Sequence, residues 1–248
     1  AIRSRGLGDV YKRQEYKIDT IHALDGNGFF NQEYKDLAGL PAIKADQIVI
    51  DILKESGTLI YEEDFHHSYP YCWRHKTPLI FASTPQWFIS MDKSGLLEGS
   101  IQAIKDVKWE PSWGYERIKS MLEGRPDWCI SRQRSWGVPI PLLINKNTGE
   151  IHPQQNLLFN QIADLIEESG IEAWDNVDVK DLVADHDDYV KATDTLDVWF
   201  DSGSTHFCVL DKLYGKDLIA DLYLEGSDQH RGWFQSSLLT GIAINGKA

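Results

Sequence analysis

The sequence is poor in cysteine, methionine and long apolar runs. Its three cysteines (Cys72, Cys129 and Cys208) are an odd number and widely spaced, which argues against a disulfide framework and favours the reducing cytoplasm. No run of 18 apolar residues is present, so the sequence predicts no membrane span. No apolar N-terminal segment of the secretory type is visible either.

Basic residues are also scarce, with 25 Lys and Arg against 38 Asp and Glu and a net charge of −13. This acidity argues against a small general DNA-binding protein, whose affinity rests on neutralising phosphates. The charge is uneven, because residues 72–146 carry a basic excess and residues 147–230 are strongly acidic. That pattern suits a part that meets phosphate on one side, although two solvated faces would produce it too.

The chain has no initiator methionine, since Met91 and Met121 are internal. Residues 1–14 are rich in Arg and Lys and resemble a translated cloning adaptor, with a flexible basic arm as the alternative. Residues 245–248 read as a loop after a helix. We therefore expect an internal piece of a larger protein, long enough for one large core or two domains.

Apolar spacing and turn residues predict a mixed α/β chain. Helices are predicted over residues 45–56, 93–107, 112–123, 155–169 and 232–244. Strands are predicted over 58–61, twice within 78–91, on both sides of a turn at 146–149, and over 196–200 and 222–224. The last two strands each end in an acid-and-glycine turn. Strand, polar turn and helix is the pattern of a doubly wound parallel sheet, in which ligands bind at the carboxyl ends of the strands.

The turn after the last predicted strand is the first candidate site. Carboxylates there would accept hydrogen bonds from an ammonium or from ribose hydroxyls, glycine would let a ligand approach the backbone, and the start of the next helix favours an anion. The alternative is a capped helix with a polar first turn. The candidate binding residues of this turn are Glu225, Gly226, Asp228, Gln229, His230 and Trp233.

A second candidate follows the strand predicted over residues 196–200. Trp199 and Trp233 would lie at neighbouring strand ends, where paired indoles form an apolar slot for a side chain. Ordinary core packing of Trp199 is the alternative. The four carboxylates of the two turns would also suit a metal-dependent hydrolase or a glycosidase, although their spacing does not select either.

A third cluster interleaves arginine with tryptophan at Arg132, Arg134 and Trp136. These side chains suit contacts to RNA phosphates and bases, and they suit a brace between domains equally well. Cys72 and His75 form one C-x2-H pair without a second pair nearby, so a structural zinc is doubtful.

Five stretches carry a specific resemblance. In this sequence they read HSYPYCWRHKTPLIF (67–81), TPQWFISMD (84–92), RPDWCISRQRSWGVPIP (125–141), DTLDVWFDSGSTH (194–206) and LEGSDQHRGWFQSSL (224–238). In this order they resemble the isoleucyl-tRNA synthetases, a family of class I aminoacyl-tRNA synthetases, over about residues 15–248. The valyl and leucyl families share the architecture and are the first alternative, and a non-catalytic binding module is the second.

The resemblance implies a Rossmann-like catalytic domain, a doubly wound parallel sheet into which an editing domain is inserted. Residues 15–66 would be the tail of that insertion. Residues 67–248 would be the second half of the catalytic domain with its connecting hairpin and helices. The family's His-x-Gly-His and Lys-Met-Ser-Lys-Ser motifs for ATP do not occur in this sequence. We therefore assign no catalytic residue and expect this chain by itself to be inactive.

The resemblance also implies the reaction and its partners. Isoleucine and Mg-ATP would form isoleucyl-adenylate, and the aminoacyl group would pass to tRNA(Ile), in a cytoplasmic and monomeric enzyme. Glu225 matches the glutamate that binds the adenylate, and Asp228 and Gln229 match positions that line the amino-acid and ribose pocket. Trp199 and Trp233 match aromatics around the isoleucine side chain. Some relatives bind zinc through cysteine pairs that are absent here.

Overall fold

The computed structural model describes residues 16–18, 21, 23–81, 85–215 and 218–248. Their contacts divide the chain into two compact units, one ending at Pro85 and the other running from Gln86 to Ala248. The adaptor-like segment over residues 1–14 lies outside the described residues. The boundary between the tail of the editing insertion (15–66) and the part of the catalytic domain (67–248) remains a prediction.

The first unit contains one regular helix, α1 (Asp46–Glu55), which confirms the helix predicted over residues 45–56. It follows a 3-10 turn at Ala42–Lys44 and ends before Gly57, whose φ of +69° lies in the left-handed region that favours glycine. The strand predicted over residues 58–61 is wrong. Ile60 is 98% exposed there, and none of the segments that the structure describes pairs with its backbone.

Aromatic side chains alternate along the extended segment that follows α1. Phe65, His67, Tyr69 and Tyr71 touch in sequence, with ring centroids 5.7, 5.9 and 6.5 Å apart. Alternate residues of an extended chain point to one side, so the four rings form a row. The row continues to Phe81, whose ring lies 6.4 Å from that of Tyr69.

The second unit is predominantly helical. The helices predicted over 93–107, 112–123, 155–169 and 232–244 are confirmed, with the first shorter than predicted. Its regular helices are α2 (Leu96–Ala103), α3 (Trp113–Glu123), α4 (Gln155–Ser169), α5 (Ala173–Asn176), α6 (Val179–Leu182), α7 (Val198–Gly203), α8 (Lys212–Tyr214) and α9 (Trp233–Asn245). Shorter turns of 3-10 and π geometry are His186–Asp188, His206–Asp211 and Ser227–His230.

The strands of this unit are short and form three two-stranded antiparallel ladders. The ladders pair β1 (Phe88–Ile89) with β2 (Trp128–Cys129), β3 (Ser131–Arg132) with β6 (Thr195–Leu196), and β4 (Leu143–Asn145) with β5 (Tyr189–Lys191). The described residues contain no parallel ladder, so the predicted doubly wound parallel sheet is not formed within them. The mixture of helix and strand agrees with the predicted α/β class.

Two further predicted strands fail, for different reasons. In the run from Leu196 to Phe200 the strand stops at Leu196, because the Asp197 carboxylate accepts a hydrogen bond from the Trp199 N–H (3.2 Å) and starts helix α7. The run from Leu222 to Leu224 has no pairing partner in the described part of the chain, and these two leucines are 75% and 81% exposed. Apolar composition alone does not make a strand without a neighbour to pair with.

The predicted turn at residues 146–149 is confirmed. The Asn145 side-chain oxygen accepts hydrogen bonds from the Asn147 and Thr148 N–H groups, and Gly149 has a φ of +71°. The chain then returns beside β4 through an isolated bridge between Ile144 and Ile151, while the longer partner of β4 is β5.

The largest core lies where α2, α3 and α9 meet β2. Its buried residues are Met91, Leu96, Ile104, Ile118, Leu122, Trp128, Leu238 and Leu239. A second core under α4 centres on Trp174. Beside it, the Lys191 ammonium donates hydrogen bonds to the main-chain oxygens of Trp174, Asp175 and Val177 at 2.7, 3.0 and 2.8 Å.

Helices α7 and α9 pack closely, and Gly203 makes that approach possible. A Cβ atom at position 203 would lie 2.8 Å from the Ser236 carbonyl carbon. Among the residues described, every helix is too short or too polar to cross a bilayer.

Candidate substrate site

The polar turn before α9 presents two carboxylates to solvent. Glu225 and Asp228 are both exposed, and within the described chain the Glu225 carboxylate makes no hydrogen bond or ion pair. A Cβ at Gly226 would lie 2.7 Å from an oxygen of the exposed Asp228 side chain, which would have to turn away. The turn therefore offers acceptor oxygens to a ligand beside an exposed stretch of backbone.

Gln229 takes the role of a helix cap. Its side-chain oxygen accepts a hydrogen bond from the Trp233 N–H at 2.9 Å, and its amide nitrogen donates to the Asp228 carboxylate at 3.1 Å. Both ends of the side chain are thus engaged within the turn. Gln229 fixes the direction in which the Asp228 carboxylate points, and a ligand would have to share these bonds.

The two indoles of the predicted slot lie at the same corner of the unit, but on helices α7 and α9 and not at the predicted strand ends. A Cβ added at Gly232 would come within 2.9 Å of the Trp199 ring, so Trp199 lies directly against the start of α9. Trp233 stacks on Tyr223 with ring centroids 4.6 Å apart, and its indole N–H donates to the Ser202 carbonyl at 2.9 Å. Trp199 is 41% exposed, so an apolar surface remains open at this corner.

A buried carboxylate, Asp197, holds α7 in place and has a role that sequence reasoning missed. Asp197 is 5% exposed. It accepts hydrogen bonds from the Trp128 indole N–H at 3.1 Å, from the Arg132 guanidinium at 2.8 Å and from the Trp199 N–H at 3.2 Å. Three donors satisfy this charge without a metal. A charged residue inside an apolar motif is the signal that would have indicated a buried ion pair.

Arg132 therefore acts as a brace within this unit. Besides its ion pair with Asp197, its guanidinium donates to the carbonyl oxygens of Cys129 and Ser131 at 2.9 and 2.8 Å. Arg134 and Trp136 differ, because both are exposed and Trp136 is 88% accessible. These contacts of Arg132 all lie within the unit Gln86–Ala248, so they are not the predicted brace between domains. A contact with RNA remains a prediction for Arg134 and Trp136.

His230 lies away from the two exposed carboxylates, inside the core. It is 5% exposed and stacks between Trp109 and Trp113, each with ring centroids 5.8 Å away. Its Nδ1 atom is 2.8 Å from the Ser227 carbonyl oxygen. Direct binding of substrate by His230 was a prediction from sequence, and this burial argues for another role.

A second arginine of this unit, Arg125, is partly buried. The Arg125 guanidinium packs over the Trp128 ring at 5.5 Å and donates a hydrogen bond to the side-chain oxygen of buried Gln235. Burial lowers the pKa of Arg125, while the field of Asp197 raises it. Burial, followed by repulsion from Asp197, raises the pKa of Asp201. Sequence spacing contained no signal for Arg125, whereas Asp201 is one of the four turn carboxylates considered for a metal site or a glycosidase.

The alternative chemistries gain no support from the geometry. Within the described residues, no group of three or more His, Cys, Asp or Glu side chains is placed to hold a metal ion. The Cys72 sulfur and the His75 ring lie 3.4 Å apart, and hydrogen bonds from the backbone at His75 and Arg74 lower the pKa of the thiol. They form an isolated pair, with too few ligands for a structural zinc site.

Ser202, His206 and Asp201 are the residue types of a hydrolytic Ser–His–Asp triad, but they do not form one. The Ser202 hydroxyl donates to the Trp199 carbonyl at 3.3 Å, and the His206 Nε2 atom lies 3.1 Å from the hydroxyl of Thr240. Burial lowers the pKa of His206. The histidine therefore links helix α9 to the preceding turn and does not activate the serine.

Comparison with known proteins assigns the chain to a class. Residues 9–248 match the family described as class I tRNA synthetases (I, L, M and V), and the chain belongs to this family. Its similarity is to isoleucine–tRNA ligases. Those of Alcanivorax borkumensis and Idiomarina loihiensis are 54% and 52% identical over 98% of this chain, and that of Coxiella burnetii is 52% identical over 99%. The predicted resemblance to isoleucyl-tRNA synthetases is confirmed.

The chain spans about a quarter of the length of these relatives, 26% in each case. The activity, substrates and partners of a full-length relative are therefore not properties of this chain alone.

Proposed function

We propose that this chain is part of a cytoplasmic isoleucine–tRNA ligase. That enzyme forms isoleucyl-adenylate from isoleucine and Mg-ATP with release of pyrophosphate, and it transfers the aminoacyl group to tRNA(Ile) with release of AMP. The observation that carries the proposal is the corner where the exposed carboxylates of Glu225 and Asp228 lie on one turn with the indoles of Trp199 and Trp233 at its end. Family membership and the names of the relatives support the same reaction.

Each part of the corner has a role in this proposal. The Glu225 carboxylate binds the aminoacyl-adenylate, and Asp228 with Gln229 orients the ammonium group and the ribose. The two indoles enclose the isoleucine side chain. No covalent intermediate with the enzyme is needed, because holding isoleucine and ATP in line and stabilising charge on the α-phosphate suffices.

The same corner sets a limit on specificity. An apolar slot distinguishes isoleucine from valine by about 1–3 kcal/mol, and the isoleucyl enzymes are the well-known example of that limit. A separate editing domain is therefore part of the proposal, with residues 15–66 as the end of that domain. The parallel strands of the doubly wound sheet are assigned to other parts of the whole protein. Structural zinc is not proposed in this stretch.

Isoleucine-dependent exchange of pyrophosphate into ATP tests the proposal. We expect the full-length protein to catalyse the exchange with isoleucine, more weakly with valine and not with leucine, and the isolated 248-residue chain to be inactive. Preference for valine or leucine would assign the protein to one of the sister families. A full-length protein without exchange activity for any amino acid would point to the non-catalytic binding module.

A pair of variants tests the site itself. Glu225→Ala in the full-length protein should reduce the exchange rate at least about 100-fold, because the loss of one charge-stabilising group typically costs that much. Glu168→Ala, an exposed glutamate on α4, is the matched control and should leave the rate unchanged. Equal rates for the two variants, with equal melting temperatures, would show that Glu225 does not contact the adenylate.

A further inference from the structure

His230 has the contacts of a structural anchor although it lies in the substrate-binding turn. Its ring is sandwiched between Trp109 and Trp113 at interplanar angles of 27° and 30°, and Phe234 meets it edge-on at 5.4 Å. With 5% of its surface exposed, it has no face open to a ligand. Three aromatic neighbours therefore fix the plane and the position of the imidazole.

One directed bond connects this ring to the turn. The Ser227 carbonyl can only accept a hydrogen bond, so the imidazole Nδ1, 2.8 Å away, carries the hydrogen. Within the described chain the other ring nitrogen, Nε2, has no hydrogen-bond partner. It faces helix α3, where a Cβ added at Gly114 would lie 3.0 Å from it. The ring thus contacts the helix on one side and the turn on the other.

The turn has few other restraints on the side of its carboxylates. Glu225 and Asp228 are exposed, and the turn closes through its own backbone bond from the Gln229 N–H to the Gly226 carbonyl at 3.0 Å. Internal bonds of this kind hold the shape of the turn but not its place in the molecule. The ring of His230, at the end of the turn, packs against Trp113 of α3, and its bond to the Ser227 carbonyl connects the start of the turn to that packed ring.

We infer that His230 is a positioning residue, which places the Glu225 and Asp228 carboxylates by tying their turn to α3 through the Trp109–Trp113 sandwich. This inference rests on the proposed function for its effect on catalysis. It assigns to α3, a helix without a predicted substrate contact, control over the geometry of the site. A displacement of about 1 Å in a catalytic site can cost about 100-fold in rate, so a single hydrogen bond can matter here.

Two variants separate the hydrogen bond from the packing. His230→Phe keeps an aromatic ring in the sandwich but removes the donor. His230→Asn loses the ring but places its amide nitrogen where Nδ1 stood, within reach of the Ser227 carbonyl. In the full-length protein we expect His230→Phe to have the higher melting temperature and His230→Asn the higher exchange rate. The drop in kcat for His230→Phe should be about 10- to 100-fold and should exceed any change in KM.

Position 114 gives an independent test from the other side of the ring. Gly114→Ala should lower kcat, since its Cβ displaces the imidazole. Gly124→Ala, at the far end of α3 with nothing within 4 Å of the added Cβ, is the matched control and should leave kcat unchanged.

Hydrogen exchange of the amides of residues 225–229 gives a readout independent of activity. In His230→Phe the amides of residues 225–229 should exchange faster than in the wild type, and the amides of α4 should exchange at the wild-type rate. The role of His230 would be overturned if the pyrophosphate-exchange rates of the two variants followed the order of their melting temperatures. Unchanged amide protection in the turn would overturn it as well. A wild-type protein without isoleucine-dependent activity would overturn the proposed function instead, and the amide protection would still decide whether His230 anchors the turn.

Discussion

Replacing Arg132 with alanine removes one of three hydrogen-bond donors from the buried carboxylate of Asp197. The two donors that remain are the Trp128 indole N–H and the Trp199 N–H, at 3.1 and 3.2 Å. The lost contact is the shortest of the three, at 2.8 Å, and the one that carries charge. The variant therefore leaves a carboxylate that keeps two donors but has lost its ion-pair partner.

The loss in the free energy of unfolding depends on how exposed Arg132 and Asp197 are. Breaking a fully buried ion pair costs about 3–5 kcal/mol. The Asp197 side chain is 7% exposed but that of Arg132 is 38% exposed, so water reaches the pair and screens it. We therefore expect a loss of about 1.5–3 kcal/mol, as for a hydrogen bond to a charged group. For a chain of this size that corresponds to a fall in melting temperature of about 3–12 °C.

Urea and thermal unfolding, followed by tryptophan fluorescence, measure this loss. Arg134→Ala is the matched control, because Arg134 is exposed and should cost within about 0.5 kcal/mol. Asp197→Asn combined with Arg132→Ala should recover part of the stability, since the unpaired charge is then gone. If Arg132→Ala and Arg134→Ala were equally stable, the brace would be wrong and a contact with RNA would be the better account of Arg132.

Three further predictions concern stability. Gly203→Ala should cost about 1–3 kcal/mol in urea unfolding, because its Cβ would lie 2.8 Å from the Ser236 carbonyl carbon, and a wild-type midpoint would contradict the tight α7–α9 contact. The raised pKa of Asp201 means that the native state holds this proton more tightly than the unfolded state. The contribution of Asp201 to stability is therefore present at low pH and lost as pH rises through the raised pKa. Over that pH range the free energy of unfolding of Asp201→Asn, measured by urea unfolding, should fall less than that of the wild type. Ile118→Ala, at a fully buried site, should cost about 2–5 kcal/mol by the same assay, whereas Leu157→Ala, 68% exposed, should cost within about 0.5 kcal/mol.

Local pattern was enough to predict the long helices, because their signals are short in range. The apolar spacing of α1 and α4 and the glycines that follow them, Gly57 and Gly170, lie within a few residues of each other. The strands depended on partners, and Leu222 shows that an apolar run without a neighbour stays exposed. In the strand predicted over residues 196–200, the Asp197 carboxylate caps a helix that begins at the next residue, Val198.

The candidate site divides along the same line. The turn with Glu225 and the two indoles could be predicted, since each lies in a motif that is continuous in sequence. The supports of the site could not be predicted, because they join distant segments. Asp197 is 65 positions from Arg132, and His230 is more than a hundred positions from the tryptophans that enclose it. Spacing along one chain contains no information about such pairs.

The three carbonyl contacts of Lys191 have a consequence for chemical labelling. A lysine ammonium has three N–H donors, and here all three are directed at main-chain oxygens, with the Trp174 ring 5.2 Å from the nitrogen. Reagents that acylate amines should therefore modify exposed Lys93 readily and Lys191 only after β5 separates from α5. The rate at which modified Lys191 accumulates, followed by mass spectrometry, would therefore report how often β5 separates from α5.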